Sequence, residues 1–536
     1  MKRVTVILAA AIVAACAAEP AKDVFANRKA IVFMLDGLRS DALVNAAVPN
    51  MRSLRDGTWQ KDYNGAWSLA AATIPDAPTV SAPNHVAIAC GVTAAKSGVT
   101  GNGANRCDHA KWPSWLVRLT AAQPARKCLF AFEWPWDKSI SPHQSVEFLC
   151  ALDAKNALNV AKRLAAADCP DATLFYINAP DYAGHKTGGW YPFSAEYLGS
   201  LHVADSFIGD CLAAIASRAT FKSEDWLIIV TSDHGGYGRG HANVASHGST
   251  IPLIFAGRHM ANGRMPGRPS NCDIAPTVLG HFGVDVAEMG FDGKAAGKDV
   301  VAEAPRPLKD GLAAYMPFDG GEKGGIVGGC LNVNTGKTSV SSLRIDGTEN
   351  LKFENGADFA IAMWVKSAVA KKGDPLLIGN KNWRSGAKPG LAVTAAKAIG
   401  RIKTPGVCLN CGTTSAAKRV DVGVFTDKHH EWTFYAATRS KDGVLTFCQG
   451  APDGRLYFVS GDGGDIVLST GMPFYLGQDG TGTYKYSFAG SFDEVALWTR
   501  SLSHREIQGI FEAGRNGVEL RELLGKARYS TAGRRK

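Results

Sequence analysis

The residues of this chain best suited to catalysis lie directly after three short apolar runs. The first run, 31–35, is followed by Asp36. The second, 173–177, is followed by Asp181 and His185, and the third, 226–230, by Asp233 and His234. Carboxylates and imidazoles gathered in one place repel one another unless a cation lies among them. The pattern therefore predicts a hydrolase that holds two metal ions.

The three apolar runs themselves predict the elements that position these residues. Short continuous apolar runs are typical of parallel strands that are buried on both faces. In open α/β sheets, ligands bind beyond the carboxyl ends of the strands, where the three groups would converge. We therefore expect an α/β domain with a mostly parallel central sheet.

A nucleophile is offered by the segment Pro78–His85, which contains Ser81 just before a stretch that can open a helix near Asn84. A helix N-terminus presents free backbone N–H groups and a positive dipole end, which favour an alkoxide and a bound phosphate. Taken alone, Ser81 is more simply explained as an ordinary N-cap serine. Its place beside three metal-ligand clusters favours the catalytic interpretation.

Five ordered segments resemble motifs of the alkaline phosphatase superfamily, specifically its type I phosphodiesterase/nucleotide pyrophosphatase branch. These segments are 36–41, 78–85, 101–102, 180–185 and 231–235. The resemblance covers roughly residues 28 to 300. It implies an alkaline-phosphatase-like fold and two Zn²⁺ ions (or other divalent metals) around a phosphate-ester substrate. It also implies a Thr or Ser nucleophile that becomes phosphorylated.

Carried over residue by residue, the resemblance assigns the ligands of both metals. Asp36, Asp233 and His234 would hold the metal that activates Ser81, which is itself a ligand. Asp181, His185 and a later histidine would hold the metal that supplies the attacking hydroxide. The later histidine is His241, with His247 as the alternative. Asn102 would donate to a phosphate oxygen, unless it only forms a Gly-Asn turn.

Two related activities compete with phosphodiester hydrolysis. Sulfatases of the same superfamily modify a Cys or Ser followed by x-Pro-x-Arg, but here His85 stands where that Arg is required. Phosphomonoester or phosphonate hydrolysis would need cations that receive the substrate's charge, for which Arg39 and Lys96 are candidates. An enzyme-derived but inactive surface glycan-binding protein is the alternative from outside the enzymes.

The second half of the chain has a different pattern. Residues 305–311 contain Pro305 and Pro307 and predict a linker between an N-terminal domain at 25–304 and a C-terminal domain at 312–517. Short alternating strands and glycine turns in the latter predict an all-β fold. The sequence there resembles the laminin-G/concanavalin-like jelly roll, which implies a glycan or cell-surface polymer as partner. Asp319 and Asp493 are weak candidates for a Ca²⁺ site.

The N-terminus predicts export. A basic start, a short apolar stretch and small residues over 1–18 are typical of a signal peptide, and Cys16 also fits a lipoprotein signal. We therefore expect a periplasmic, outer-membrane lipoprotein or extracellular location, with membrane attachment only if Cys16 is lipidated. No other run predicts a membrane helix. A basic tail is expected at 518–536.

The net charge and the cysteine count exclude few of the possible functions. The formal net charge of +10 is spread along the chain, so it attracts anionic substrates modestly. No basic stripe interleaved with aromatics predicts nucleic-acid binding. The 12 cysteines permit disulfides, and Cys408 and Cys411 predict either a local disulfide or unpaired thiols, because no second pair completes a zinc site.

Overall fold

A computed structural model describes residues 25–526, except for 104–106, 188, 243–244, 302–305, 352, 354–357, 369–372, 397–405, 416–418, 427–429 and 451–453. The predicted signal peptide with Cys16, residue Pro305 of the linker and the last ten residues of the basic tail lie outside the described residues. The first part of that tail is docked, since Leu520 N–H donates to Glu494 (2.6 Å) and Leu524 C=O accepts from Lys309 N–H (3.0 Å).

The N-terminal domain is built on one eight-stranded sheet with the order β4-β3-β5-β1-β6-β7-β2-β8. Strands β4, β3, β5, β1 and β6 are mutually parallel, while β7 is antiparallel to both its neighbours. The predicted mostly parallel sheet is therefore confirmed. The strands are β1 Arg28–Leu35, β2 Asn64–Ala72, β3 Cys128–Phe132, β4 Val146–Cys150, β5 Ala172–Ile177, β6 Asp225–Ser232, β7 Thr250–Gly257 and β8 Gly263–Arg264.

Helices cover both faces of this sheet and enclose two separate apolar cores. They are α1 Ser40–Asn45, α2 Pro49–Arg55, α3 Ser81–Cys90, α4 Ala94–Ser97, α5 Trp115–Ala122, α6 Asp153–Ala165, α7 Ala179–Lys186, α8 Ala195–Ala216, α9 Ala245–Gly248 and α10 Ile274–His281. Helix α3 begins at Ser81 itself, three residues earlier than the sequence predicted. Helix α8 is long and apolar enough by composition to cross a membrane, contrary to the expectation above, but one of its faces packs in the core.

The positions of β5, β1 and β6 explain why the predicted site residues meet. All three strands are buried on both faces and lie side by side, with β1 in the middle. Because they are parallel, their carboxyl ends lie at one edge of the sheet, where Asp36, Asp181 and Asp233 follow. The apolar runs thus bring distant parts of the chain to one place.

The C-terminal domain is a sandwich of two antiparallel sheets, as the sequence predicted. One sheet has the order β10-β11-β22-β13-β18-β19-β20, with β9 paired to β22, and the other has the order β12-β21-β14-β15-β16-β17. The apolar core lies between the two sheets. The elements are β9 Leu312–Met316, β10 Glu322–Lys323, β11 Gly329–Val333, β12 Leu343–Ile345, β13 Phe359–Ser367, β14 Leu376–Gly379, β15 Leu391–Ala396, β16 Gly406–Gly412, β17 Arg419–Thr426, β18 Thr433–Arg439, β19 Val444–Gly450, β20 Leu456–Asp462, β21 Phe474–Leu476, β22 Gly490–Trp498 and α11 His504–Arg515.

The edge strand β20 of the sandwich lies against α1 of the N-terminal domain. Asn45 and Phe458 exchange two hydrogen bonds, from Asn45 Nδ2 to Phe458 C=O (2.9 Å) and from Phe458 N–H to Asn45 Oδ1 (3.0 Å). Arg268 also forms an ion pair with Asp462 at 2.9 Å. The two domains therefore share a polar interface as well as a linker.

The eleven cysteines in the described part of the chain are all unpaired. Cys408 and Cys411 are among them, and both thiols are buried in β16. Of the two sequence interpretations of this pair, the structure has the unpaired thiols.

Candidate metal centre

One group of candidate ligands, the inner group, consists of Asp36, Asp233 and His234 next to Ser81. Nε2 of His234 lies 3.4 Å from Asp36 Oδ1, 3.3 Å from Asp233 Oδ2 and 3.3 Å from Ser81 Oγ. Asp36, Asp233 and His234 are at most 2% exposed and Ser81 is 7% exposed. The four side chains therefore converge on one buried point.

A second group, the outer group, consists of Asp181, His185 and His241. Nε2 of His185 lies 3.2 Å from Nε2 of His241 and 3.7 Å from Asp181 Oδ2, and His241 Nε2 lies 3.9 Å from Asp181 Oδ1. Helix α7 supplies Asp181 and His185 one turn apart, which places both on the same face. Asp181, His234 and His241 also lie within 4.8 Å of one another, so the outer group adjoins the inner one.

The three histidines share an arrangement that frees Nε2 for a cation. Nδ1 of His234, His185 and His241 donates to the backbone carbonyls of Gly235 (2.9 Å), Arg239 (3.2 Å) and Thr79 (2.7 Å), respectively. In a neutral imidazole, the other nitrogen then carries a lone pair. The Nε2 atoms of His185 and His241 therefore turn two lone pairs toward each other, which is favourable when a cation lies between them.

The carboxylates fit a cation in the same way. Asp36 Oδ1, Asp181 Oδ1 and Asp233 Oδ2 are buried and have no hydrogen-bond partner among the described residues. Oδ1 of Asp233 instead accepts from the N–H groups of Gly37 (3.0 Å) and His234 (2.8 Å), which turns Oδ2 toward the centre. Oxygen and imidazole donors of this kind suit zinc. The residues present therefore fit two divalent metal ions.

The crowding of these side chains shifts the pKa values of several of them. Burial and then the charges of Asp36 and Asp233 raise the pKa of Asp181 to about 9. Burial and then His234 lower the pKa of His241 to about 4. For Asp36, burial opposes ionisation, but His85 and His234 outweigh it and hold the pKa below its usual range. Without a metal, the outer carboxyl is thus protonated at neutral pH.

Ser81 is the first residue of α3, at the positive end of the helix dipole. Asn102, from the loop that follows α4, accepts a hydrogen bond from Ala82 N–H through Oδ1 at 2.9 Å. This contact fixes the Asn102 amide beside the serine. The serine and asparagine predicted from the sequence are therefore brought together.

His85 is a residue of the site that the sequence analysis considered only as an obstacle to sulfatase chemistry. Its Nε2 lies 3.2 Å from Asp233 Oδ2 and 3.6 Å from Asp36 Oδ2, and its Nδ1 lies 2.8 Å from Asp137 Oδ1. Burial opposes a charge on His85, but Asp137, Asp233 and Asp36 raise its pKa well above the usual value. The sequence did contain an indication of this role, because His85 lies one helical turn after Ser81. Asp137 lies in a 3₁₀ helix (Pro135–Ile140), and its sequence gave no such signal.

Trp190 packs against the backbone of three ligand-bearing segments. Its ring is fully buried, and Nε1 donates to Gly37 C=O at 3.0 Å. A Cβ atom at Gly37, Gly184 or Gly236 would lie closer than 3.0 Å to this ring. These glycines adjoin the ligands Asp36 and His185 and the Asp233–His234 pair. The indole ring therefore sets the spacing of both ligand groups.

Thr79 joins the nucleophile segment to the outer ligand group. Its carbonyl accepts from Nδ1 of His241, and its hydroxyl donates to the carbonyl of the same His241. Two residues later the chain reaches Ser81. The segment that leads to Ser81 and the candidate ligand His241 are therefore linked through one residue.

Three other residues that the sequence analysis named as candidates, His247, Arg39 and Lys96, lie outside both ligand groups. His247 is buried against Tyr237 (ring centroids 4.6 Å apart) and near Arg39, and it does not join either ligand group. The Arg39 guanidinium is buried in an ion pair with Asp41. Lys96 Nζ binds Gly290 C=O (2.8 Å) and Asp292 (2.6 Å). Neither cation is directed to the two ligand groups.

The weak calcium candidates in the sandwich have protein partners. Asp319 forms an ion pair with Arg521. Asp493 is fully buried and accepts from the N–H groups of Val327 (3.0 Å) and Glu494 (2.8 Å). Neither belongs to a group of metal-ligating side chains in the described part of the chain.

Comparison with known families gives two matches. Residues 30–115 and 110–237 match the family described as type I phosphodiesterase/nucleotide pyrophosphatase. The N-terminal domain is therefore similar to this family over most of its length. Residues 338–508 match the concanavalin A-like lectin/glucanases superfamily. Together the matches show a phosphodiesterase-family domain followed by a laminin-G-type jelly-roll domain.

Curated relatives resemble only the phosphodiesterase-family domain. A venom phosphodiesterase of Naja atra is 26% identical over 230 residues, which are 38% of this chain and 26% of that protein. Ectonucleotide pyrophosphatase/phosphodiesterase family member 3 of Rattus norvegicus is 24% identical over 230 residues, 38% of this chain and 24% of that protein. The chain thus spans about a quarter of the length of these relatives.

Comparison with solved structures gives matches of low similarity. Murine ectonucleotide pyrophosphatase/phosphodiesterase 5, an inactive form in complex with AMP, has a TM-score of 0.37 and 14% identity, covering 48% of this chain and 96% of its own. A phosphonate monoester hydrolase from Silicibacter pomeroyi has a TM-score of 0.38 and 15% identity, covering 55% and 80%. At these scores the likeness says nothing about activity.

Proposed function

We propose that this protein is an exported hydrolase of phosphodiesters or nucleotide pyrophosphates that uses two zinc ions and Ser81 as its nucleophile. One observation carries the proposal. The side chains of the inner and outer groups turn carboxylate oxygens and Nε2 atoms toward two adjacent points, with the hydroxyl of Ser81 at the inner one. The match to the phosphodiesterase family supports the same chemistry.

Each ligand group would hold one zinc ion, and each ion would serve one half of the reaction. Asp36, Asp233, His234 and Ser81 would hold one zinc ion, and Asp181, His185 and His241 the other. When bound, zinc supplies Lewis-acid activation of a hydroxyl or water and neutralises charge on the phosphoryl oxygens. The fixed Nδ1 hydrogen bonds of the histidines keep each ring oriented throughout.

Ser81 carries the covalent step. Its Oγ loses a proton and forms a bond to phosphorus while the bond between phosphorus and the leaving oxygen breaks. The N-terminus of α3 stabilises the phosphoryl oxygens on Ser81. Oδ1 of Asn102 is held by Ala82 N–H, so the Asn102 amide N–H₂ group can donate to one of those oxygens. Water then attacks phosphorus, the bond to Ser81 Oγ breaks, and the serine regains its proton.

The cations near the site favour diesters over monoesters. A monoester brings a second negative charge, which additional cationic side chains would receive. Arg39 is instead held by Asp41 and the carbonyls of Gly236 (2.5 Å) and Ser460 (3.2 Å), and Lys96 is held by Asp292. We therefore place diesters or pyrophosphates first among the substrates.

The decisive experiment compares Ser81→Ala with Ser81→Thr in the full-length protein. Ser81→Ala should lower bis-p-nitrophenyl phosphate turnover by several orders of magnitude and abolish phosphorylation of the segment, detected by mass spectrometry of acid-quenched protein. Both variants should keep most of their zinc by elemental analysis, because six ligands remain. Ser81→Thr keeps a hydroxyl and should keep measurable turnover. Near-normal turnover by Ser81→Ala would exclude the serine mechanism.

The remaining parts of the proposal concern location and the jelly-roll domain. The basic and apolar start of the sequence supports export, with lipidation at Cys16 as the route to a membrane. The match to the concanavalin A-like superfamily supports glycan or cell-surface polymer binding by the sandwich. Cell fractionation with a Cys16→Ser variant, and glycan-array binding by the full-length protein, test these two points.

A further inference from the structure

Away from the two ligand groups, three soft donors form a cluster at the far end of α3. The ligand atoms of Cys90, Cys107 and His109 all lie within 4.8 Å of one another. Cys90 is fully buried, Cys107 is 7% exposed and His109 is half-buried. Nothing in the reaction proposed above uses these residues.

The surroundings of the cluster favour a cation over three neutral side chains. Nδ1 of His109 is buried without a hydrogen-bond partner in the described part of the chain. Two thiols thus lie beside an imidazole whose Nδ1 is unsatisfied, an arrangement that a shared cation would satisfy.

We propose that Cys90, Cys107 and His109 bind a divalent ion of the zinc type, separate from the two catalytic metals. Two cysteine sulfurs and one imidazole nitrogen are a donor set that zinc accepts, with water in the fourth position. Thiolates also select such an ion over the hard cations Mg²⁺ and Ca²⁺. The site is structural, since it contacts no substrate.

The position of the cluster gives the ion a role. Helix α3 runs for ten residues from Ser81 to Cys90, a length of about 15 Å. The chain then returns to place Asn102 beside Ala82 before reaching Cys107 next to Cys90. Added Cβ atoms at Gly101 and Gly103 would meet nothing within 4 Å among the described residues, so these two positions of the loop lie open. A metal ion at Cys107 would anchor its far end and reduce its conformational freedom.

A Cys90–Cys107 disulfide is the competing arrangement. It would need a thiol–disulfide oxidant, and it would leave His109 Nδ1 buried without a partner. The metal site uses all three donors and agrees with the unpaired state of both thiols. The two arrangements differ in a way that spectroscopy detects.

The test is cobalt substitution of the full-length, reduced and metal-free protein. A near-ultraviolet thiolate-to-cobalt charge-transfer band should appear, because the two catalytic ligand groups contain only oxygen and nitrogen donors. The band should be lost in Cys107→Ser and retained in Asp233→Asn, which alters the inner group. Cys448→Ser is the matched cysteine control, since Cys448 is fully buried in β19 of the other domain. Zinc content should fall by one ion per chain in Cys107→Ser and stay unchanged in Cys448→Ser.

Two results would overturn the proposal. One is a folded, reduced protein that takes up cobalt without the band. The other is a Cys90–Cys107 disulfide found by non-reducing peptide mapping of protein purified without reductant. If Cys107→Ser fails to fold by circular dichroism, His109→Ala serves instead, and it should keep the band while lowering cobalt affinity at least tenfold. Unchanged affinity in His109→Ala would remove His109 from the site.

The consequence for Asn102 rests on the proposed function, whereas the metal site does not. Cys107→Ser should lower phosphodiester turnover no further than Asn102→Ala does, and the two changes combined should add little. If turnover is unaffected by either change while the cobalt band behaves as expected, the metal site stands and the role of Asn102 falls.

Discussion

Asp41, in the first helix after the ligand Asp36, accepts a hydrogen bond from the backbone N–H of Ser460 in the jelly-roll domain at 2.7 Å. Arg39 completes the contact, since it pairs with Asp41 and donates to Ser460 C=O at 3.2 Å. Arg39 and Asp41 are at most 3% exposed. The sandwich therefore covers a buried ion pair three residues from a metal ligand.

This contact makes the contribution of the jelly-roll domain testable by truncation. A chain that ends near residue 306 should keep its zinc and its turnover of small soluble esters, because all seven candidate ligands precede that point. Its thermal stability should fall, since Arg39, Asp41 and Asn45 lose partners whose hydrogen bonds contribute about 1 kcal/mol each. Zinc content, small-ester turnover and circular dichroism of both chains are the measurements. A truncated chain that folds and holds zinc but cannot cleave the ester would show that the sandwich completes the site.

A second prediction concerns Asp137, which orients His85 against the inner group. Asp137→Asn and His85→Gln should each weaken zinc binding about 10- to 100-fold, as changes behind metal ligands do. Competition with a chromophoric chelator measures the affinity. His202→Gln is the matched control, because that ring is exposed and bonds only to Ala47 C=O (3.0 Å) in the described structure. Equal affinities in all of these proteins would mean that His85 has no part in holding the carboxylates.

A third prediction uses Trp190, whose ring separates three glycine-containing ligand segments. Trp190→Ala should lower the free energy of unfolding by about 3–5 kcal/mol and also weaken both metal sites. Trp115→Ala removes an equally buried indole from the core on the other face of the sheet. The control should lose similar stability but keep its zinc affinity. Chemical denaturation and zinc titration separate the two effects, and parallel losses in both variants would contradict the role given to Trp190.

A fourth prediction is the pH dependence of the metal-free protein. The folded-state pKa of Asp181 is raised to about 9, so between its unfolded value near 4 and pH 9 the folded state binds more protons than the unfolded one. This residue's contribution to stability therefore falls as the pH rises through that window, by at most about 1.4 kcal/mol per pH unit. Asp181→Asn removes the contribution.

The measurement is the unfolding free energy of metal-free wild type and Asp181→Asn at several pH values. The variant should become progressively more stable than the wild type as the pH rises. Excess zinc should reverse the order, because only the wild type keeps the full outer group. A difference that does not change between pH 5 and 9 would show that Asp181 is ionised without the metal.

The sequence predicted those features that depend on local pattern. Apolar runs ending at Asp36, Asp181 and Asp233 were enough to infer parallel strands whose carboxyl ends meet, because burial on both faces demands such runs. Ser81 was found because its segment precedes a helix. His241 was preferred over His247 because its spacing matches a motif of the family that the sequence resembles, and in the structure His241 lies within the outer group.

Features that depend on long-range packing were not predictable. Asp137 reaches His85 from a 3₁₀ helix 52 residues away, and no periodicity marks it. Trp190 looks like any core tryptophan until its three glycine neighbours are known. Arg39 was a reasonable candidate for binding a substrate's charge, but Asp41 and a strand more than 400 residues later engage it. Such partners are set by the assembled fold rather than by neighbouring residues.

The double contact between Thr79 and His241 has a consequence for altering this protein's specificity. A loop taken from a related hydrolase to reshape the surroundings of Ser81 would bring its own residue in place of Thr79, and unless that residue carries a hydroxyl the bond to the His241 carbonyl would be lost. A replaced His241 segment would likewise release the loop between β2 and α3 that leads to Ser81. The two segments therefore form one unit of exchange, and chimaeras that transplant them together should outperform those that transplant either alone.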